Sequence, residues 1–77
     1  MNAERRKALT AVADKIQELI EEVESLRDGE EEYRDNIPEN LQNSERYEKA
    51  DSAVDSMNEI VSSLEDAVES IKSAVEQ

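Results

Sequence analysis

Hydrophobic side chains recur at alternating intervals of three and four residues in two long segments of the chain. The repeat is interrupted once in the first segment, at Glu30, and is unbroken in the second. The two sets are Leu9, Val12, Ile16, Leu19, Val23, Leu26, Tyr33 and Ile37, then Tyr47, Ala50, Val54, Met57, Val61, Leu64, Val68, Ile71 and Val75. This spacing places each set on one stripe of an α-helix. The pattern predicts an all-α chain of two amphipathic helices.

Capping residues and glycine set the expected course of the first helix. Asn2 is a candidate N-cap, because its side-chain carbonyl can accept a hydrogen bond from a free backbone N–H. We expect helix 1 to run from about residue 3 to about residue 35. Glycine within a helix costs about 1 kcal/mol relative to alanine. The sequence therefore predicts a bend or fraying near Gly29.

The segment between the helices contains the chain's only proline, Pro38. Proline disfavours helical geometry in the residue before it, so helix 1 has to end there. Asn36 followed by Glu39 resembles a capping box, which predicts one short helical turn in the connector, residues 36–43. We expect helix 2 at about residues 44–75.

The flanks of the two stripes indicate how the helices assemble. With heptad positions labelled a to g and Leu9 and Tyr47 at a, helix 1 adds apolar residues at e, through Ala13 and Ile20. Helix 2 adds them at g, through Ala53, Ile60, Ala67 and Ala74. In an antiparallel pair e flanks face e flanks and g flanks face g flanks, so these apolar edges do not cover one another within one hairpin. We therefore predict one domain, residues 1–77, that forms an antiparallel helical hairpin and assembles as a homodimeric four-helix bundle.

The predicted contact surface between hairpins combines residues of both stripes. It consists of Ile16, Ile20, Val23, Ala53, Val54, Met57, Ile60, Val61, Leu64, Ala67, Val68 and Ile71. Other homo-oligomers, or docking on a different protein, would cover the same stripes and remain open alternatives.

Composition places further limits on function. The chain has 21 acidic and nine basic residues and a net charge of −12, which argues against direct binding of nucleic acid. A rod with surplus carboxylates on its outer faces can instead occupy a basic groove, as a mimic of a nucleic-acid backbone. A basic host protein is therefore a candidate partner, although acidic faces also serve simply to keep a small bundle soluble.

Several classes of chemistry are missing from the chain. It contains no cysteine and no histidine, which removes disulfides, thiolate nucleophiles, imidazole acid–base catalysis and the usual zinc sites. No nucleophile–base pair or phosphate-binding loop is present. We predict that the protein is not an enzyme and has no cofactor and no metal. Without a signal peptide or an apolar membrane span, we expect a cytoplasmic protein with no membrane partner.

Polar side chains around the connector form the one candidate ligand site. Two arginines, an amide and a phenol come close together in the sequence there, and they could bind a small anion or a nucleotide. The candidate residues are Arg34, Asn40, Arg46 and Tyr47. The alternative is that these side chains cap helices and close the end of the core.

The segment Asp35–Glu48 and the start Met-Asn-Ala-Glu-Arg-Arg-Lys resemble short acidic helical-hairpin proteins of phages and prophages of Gram-positive bacteria. The resemblance implies a mobile-element origin and a location in the bacterial host cell. No activity is established for that group, so it supplies no functional residue.

Together these observations predict a non-enzymatic, self-associating acidic helical-bundle protein, with an accessory or interaction role in a phage or prophage. The alternative is a counter-defence inhibitor. It would act by presenting its acidic surface to a basic protein or by sequestering a small anionic ligand.

Overall fold

A computed structural model describes all 77 residues and contains only helices and their connections. Helix α1 spans Ala3–Asp35, a single 3₁₀ turn spans Glu39–Leu41, and helix α2 spans Glu45–Val75. The two long helices pack antiparallel against each other, and the whole hairpin is 59 Å long. The chain is an all-α helical hairpin, as the two hydrophobic repeats predict.

Both long helices begin at a side-chain cap. The Asn2 Oδ1 atom accepts a hydrogen bond from the Arg5 N–H at 2.7 Å, so the predicted cap is present. The Ser44 Oγ atom accepts one from the Tyr47 N–H at 3.3 Å at the start of α2. Each cap satisfies one of the backbone donors that the first turn of a helix leaves free.

Helix α1 is continuous through Gly29, within its predicted range, so the fraying expected near that residue is absent. The expected capping box in the connector is also corrected. Asn36 does not cap the 3₁₀ turn. It lies at the C-terminal end of α1, where its N–H donates to the Glu32 carbonyl at 3.0 Å and the Ile37 N–H donates to the Arg34 carbonyl at 3.1 Å. The turn forms without a side-chain cap, because a bond of 2.8 Å from the Leu41 N–H to the Pro38 carbonyl closes it.

The core is a single row of side chains between the two helices. Only six of the 77 residues are buried: Ile20, Ile37, Ala50, Val54, Val61 and Val68. Most come from α2, where Val54, Val61 and Val68 repeat at position a. Ile37 closes the row at the connector end. A core this thin contributes little apolar burial per residue, as expected for a chain of this length.

Helix α1 turns positions a and e, rather than a and d, towards α2. At e, Ile20 is buried against Val61 and Val68. The d-position side chains Val12, Leu19, Leu26 and Tyr33 are instead 43, 48, 67 and 46% exposed. The sequence predicts that one hairpin leaves part of each stripe uncovered, and the structure identifies that part on α1 as its d row.

Candidate interaction surface

Polar contacts line one side of the groove between the helices. Arg27 Nη1 donates to Asn58 Oδ1 at 3.2 Å, and Arg34 Nη1 donates to Asp51 Oδ1 at 2.9 Å. All four residues occupy position e, and the two contacts are one heptad apart on each helix. These contacts fix the antiparallel register and close the e side of the hairpin.

The opposite side of the hairpin carries an uncovered apolar surface. Because the e positions of both helices lie on the closed side, the d positions of α1 and the g positions of α2 lie together on the other side. We call this surface the open face. It consists of Val12, Leu19, Leu26 and Tyr33 on α1 and Ala53, Ile60, Ala67 and Ala74 on α2. Ile60 is 46% exposed, and the three alanines are half-buried.

The α2 part of the open face carries no acidic residue. Its g positions are flanked on the outer side by c positions, where serine recurs at Ser56, Ser63 and Ser70. The carboxylates of α2 lie at b, e and f, on the other sides of the helix. The chain has a net charge of −12, so this strip without carboxylates differs from the acidic surface on the other sides of α2.

The structure distributes the predicted interface residues between the core and the surface. Four of them, Ile20, Val54, Val61 and Val68, are buried within the hairpin and have almost no area left for a second chain. Ile60 is exposed, and the remaining residues are half-buried at the edges of the groove: Ile16, Val23, Ala53, Met57, Leu64, Ala67 and Ile71.

Sequence reasoning assigned the d row of α1 to the packing stripe of the hairpin. A signal for its exposure is present in the chain, because the e row of α1 contains Arg27 and Arg34 in addition to Ile20. Their hydrogen-bonding partners Asn58 and Asp51 recur with the same spacing on α2. Such matched polar pairs identify the two rows that face each other.

Arg34, one of the candidate ligand residues, is already engaged. Besides Asp51, it bonds through Nε to Asp35 Oδ1 at 3.0 Å. The hydrogen bond that Arg34 donates to Asp35 raises the pKa of its guanidinium above the ordinary value; desolvation lowers that pKa by less, and the bond donated to Asp51 raises it further. Arg34 is therefore a charged residue that holds the helices together, with two of its donors occupied.

A cleft of about 530 Å³ lies at the connector end of the hairpin. Its lining residues are Tyr33, Asn36, Ile37, Pro38, Leu41, Ser44, Glu45 and Arg46. Of the four candidate ligand residues only Arg46 is among them, and Arg34, Asn40 and Tyr47 lie outside the lining. Glu45 lines the cleft and, with Glu30 and Lys49, an adjoining groove beside Arg46. Glu45 pairs with Lys49 at 2.9 Å, and the two carboxylates offset the two bases, so the groove has no surplus positive charge for an anion.

Two further features bear on function. No group of three or more acidic side chains comes close enough together to hold a metal ion. Neither long helix has the apolar stretch that a membrane span requires.

Comparisons with known proteins do not add to this description. No protein-family model, no curated protein and no solved structure matches the chain.

Proposed function

We propose that this protein is a non-enzymatic acidic helical-bundle protein that acts by association, and that its first partner is a second copy of itself. The open face carries the proposal. Four large apolar side chains of α1 are 43–67% exposed along one side of a hairpin that has only six buried residues. Covering them with a second hairpin gives a four-helix bundle with a core two layers deep.

The size of the open face suits a stable dimer. The hairpin measures 59 Å by 14 Å across its broader side. The whole of that side therefore projects to roughly 800 Å², which is of the order of the area that each partner contributes to a standard protein–protein interface. The open face is the apolar part of that side, and clustered exposed apolar side chains mark interaction sites.

Charge makes this face the least repulsive one for contact between two copies. Two chains that each carry −12 repel each other over most of their surfaces. The α2 strip of the open face, with its alanines and serines, is free of carboxylates. Two copies that meet there keep their acidic side chains on the outside of the bundle, in water.

The biological setting of the proposal comes from the resemblance of the connector and the chain start to phage and prophage hairpin proteins. It supports an accessory or interaction role for the bundle in a phage-infected or lysogenic bacterial cell.

Sedimentation equilibrium in the micromolar range tests the proposed dimer. The wild-type chain should have twice its monomer mass of 8.7 kDa. Leu26→Glu should give the monomer mass while retaining helix, because Leu26 is 67% exposed and takes no part in the core. Ser62→Glu adds the same charge at an exposed b position of α2 and should leave the dimer intact. A monomeric wild type, or a dimeric Leu26→Glu variant, would contradict the proposal.

A second candidate function uses the acidic outer surface against a basic protein. Only five of the 21 carboxylates take part in ion pairs within the chain, so most are available to a partner. If the surface acts as a nucleic-acid mimic, a host protein captured on the immobilised bundle should be released both by NaCl and by duplex DNA. Capture that neither NaCl nor DNA reverses would count against this function.

A further inference from the structure

The open face also indicates how two copies are oriented. We propose, on the basis of the proposed dimer, that the two hairpins pack with their connectors at the same end of the bundle. Helix α1 of each copy then lies against α2 of the other. The alternative arrangement has connectors at opposite ends and places α1 on α1 and α2 on α2.

The sizes of the side chains on the two helices favour the same-end arrangement. The α1 row of the open face is large, with valine, two leucines and a tyrosine. The α2 row is small, with three alanines and one isoleucine. A row of large side chains packs most closely against a row of small ones, because the large side chains enter the spaces that the small ones leave.

The register of the hairpin places the large side chains of α1 at nearly the same heights along the rod as the g-position residues of α2. The contacts Arg27–Asn58 and Arg34–Asp51 set which residues lie at the same height along the rod. By that register Leu26 lies about one residue from the level of Ile60. One heptad earlier on α1, Leu19 lies about one residue from the level of Ala67, and Val12 lies about one residue from that of Ala74.

A two-fold axis along the rod preserves these levels in the dimer. Leu19 and Val12 then meet the small side chains of Ala67 and Ala74 in the second copy, and Leu26 meets Ile60. Close packing of large side chains against small ones on a facing helix is typical of four-helix bundles. All neighbouring helices are antiparallel in this arrangement.

The opposite-end arrangement matches sizes poorly. With full overlap, Leu19 would meet Leu19 of the second copy and Val12 would meet Leu26. On α2, Ala67 would meet Ala67 and Ile60 would lie near Ala74. The two α1 helices would be held apart and the two α2 helices would not fill the space between them. Unfilled space in a core is destabilising because packing contacts are lost.

The same-end arrangement has a consequence at the connectors. The two clefts that contain Tyr33 and Arg46 lie side by side at one end of the bundle. That end then presents two copies of the least repetitive part of the sequence, whereas the other end presents all four chain termini.

Distance measurement between spin labels tests the orientation, because the chain has no cysteine and a single one can be introduced. A nitroxide on Asn40→Cys marks the exposed 3₁₀ turn. We expect an interspin distance of less than half the 59 Å length of the hairpin. A label on Ser62→Cys, near the middle of α2, lies at mid-height in both arrangements and serves as the control for a labelled dimer.

The possible results are distinguishable. A distance close to the full hairpin length at Asn40→Cys, with a dimer mass and a short distance at Ser62→Cys, overturns the same-end arrangement and leaves the proposed dimer standing. A single-chain mass with no interspin coupling at either site overturns both.

Discussion

At the scale of single residues, the arginines at the e positions of α1 determine which side of the hairpin is closed. Arg27 and Arg34 each reach a polar side chain of α2, at 3.2 and 2.9 Å. Each contact on an exposed surface is individually weak. The two contacts lie one heptad apart in the same e row as the buried Ile20, and all three side chains face α2 while the d row of α1 faces outward.

Gly29 provides a prediction at the same scale. A Cβ atom built there meets nothing within 4 Å, and the residue has ordinary helical geometry. Gly29→Ala should therefore raise the free energy of unfolding by about 0.5–1 kcal/mol, because alanine loses less backbone entropy on forming a helix. Urea unfolding followed by circular dichroism at a fixed chain concentration measures the change.

The matched control for Gly29→Ala is Ser25→Ala, at another exposed position of α1. Serine is closer than glycine to alanine in helix propensity, so Ser25→Ala should raise the free energy of unfolding by less than Gly29→Ala does. A Gly29→Ala variant that is no more stable than wild type would show that the glycine has a packing role that the hairpin alone does not reveal.

At the scale of the elements, the sequence predicts the two helices well. The repeat of three and four residues and the Asn2 cap indicate a helix at residues 3–35, which is the range of α1. Pro38 marks the end of that helix, and α2 begins at Glu45, within one residue of the expected start. These features are predictable because periodicity, caps and proline act locally in the chain.

The rotation of α1 could not be predicted in the same way. Its apolar stripe spans positions a, d and e, and a single neighbouring helix covers only part of so wide a stripe. Contacts such as Arg34–Asp51 decide whether the d row or the e row of α1 stays uncovered by α2. These contacts join residues that are not neighbours in the sequence. The g-position edge of α2 was predictable, since Ala53, Ile60 and Ala67 repeat every seven residues. Its companion row on α1 could be identified only by matching the polar e positions of the two helices, which are distant in the sequence.

Val61 provides a prediction for the packing of α2 on α1. It is buried in a cluster with Ile20 and Val68. Val61→Asp should lower the free energy of unfolding by several kcal/mol, because it would place an unpaired charge in an apolar site. A domain of marginal stability does not tolerate that loss, so circular dichroism should show loss of helix.

Ser62→Asp is the control for Val61→Asp, since it introduces the same charge at the next residue, which is exposed. This control should retain both helicity and mass in solution. Unchanged helicity and mass in Val61→Asp as well would show that the assigned register is wrong.

At the scale of the whole molecule, net charge should control the proposed association. Two chains of −12 repel each other, and the open face lacks the oppositely charged pairs that would offset the repulsion. Salt shortens the screening length from about 10 Å at 0.1 M to about 3 Å at 1 M. We therefore expect the dimer dissociation constant to fall as NaCl is added.

Sedimentation equilibrium at low and high NaCl concentration measures this dependence. Dissociation promoted by NaCl would indicate that ion pairs between chains, rather than apolar contact, hold the copies together. Binding of a basic partner to the outer surface should show the opposite trend and weaken with salt, so the two interactions can be separated in one titration series.

The position of the connector has a consequence for the order in which the chain folds. The contacts Arg34–Asp51, Arg27–Asn58 and Arg6–Gln77 enclose loops of increasing length, with separations of 17, 31 and 71 residues. Closing a loop costs more entropy as the loop lengthens, by about 0.6 kcal/mol for each doubling. Pairing should therefore nucleate beside the buried Ile37 and spread towards the termini.

Amide hydrogen exchange should record this order as a gradient, with protection greatest in the turns next to the connector and least at the end where Arg6 meets the Gln77 carbonyl. Equal protection along the whole rod would exclude such a gradient. If the gradient is present, one short loop governs how quickly the chain reaches its native state, and lengthening that loop would slow folding without altering either helix.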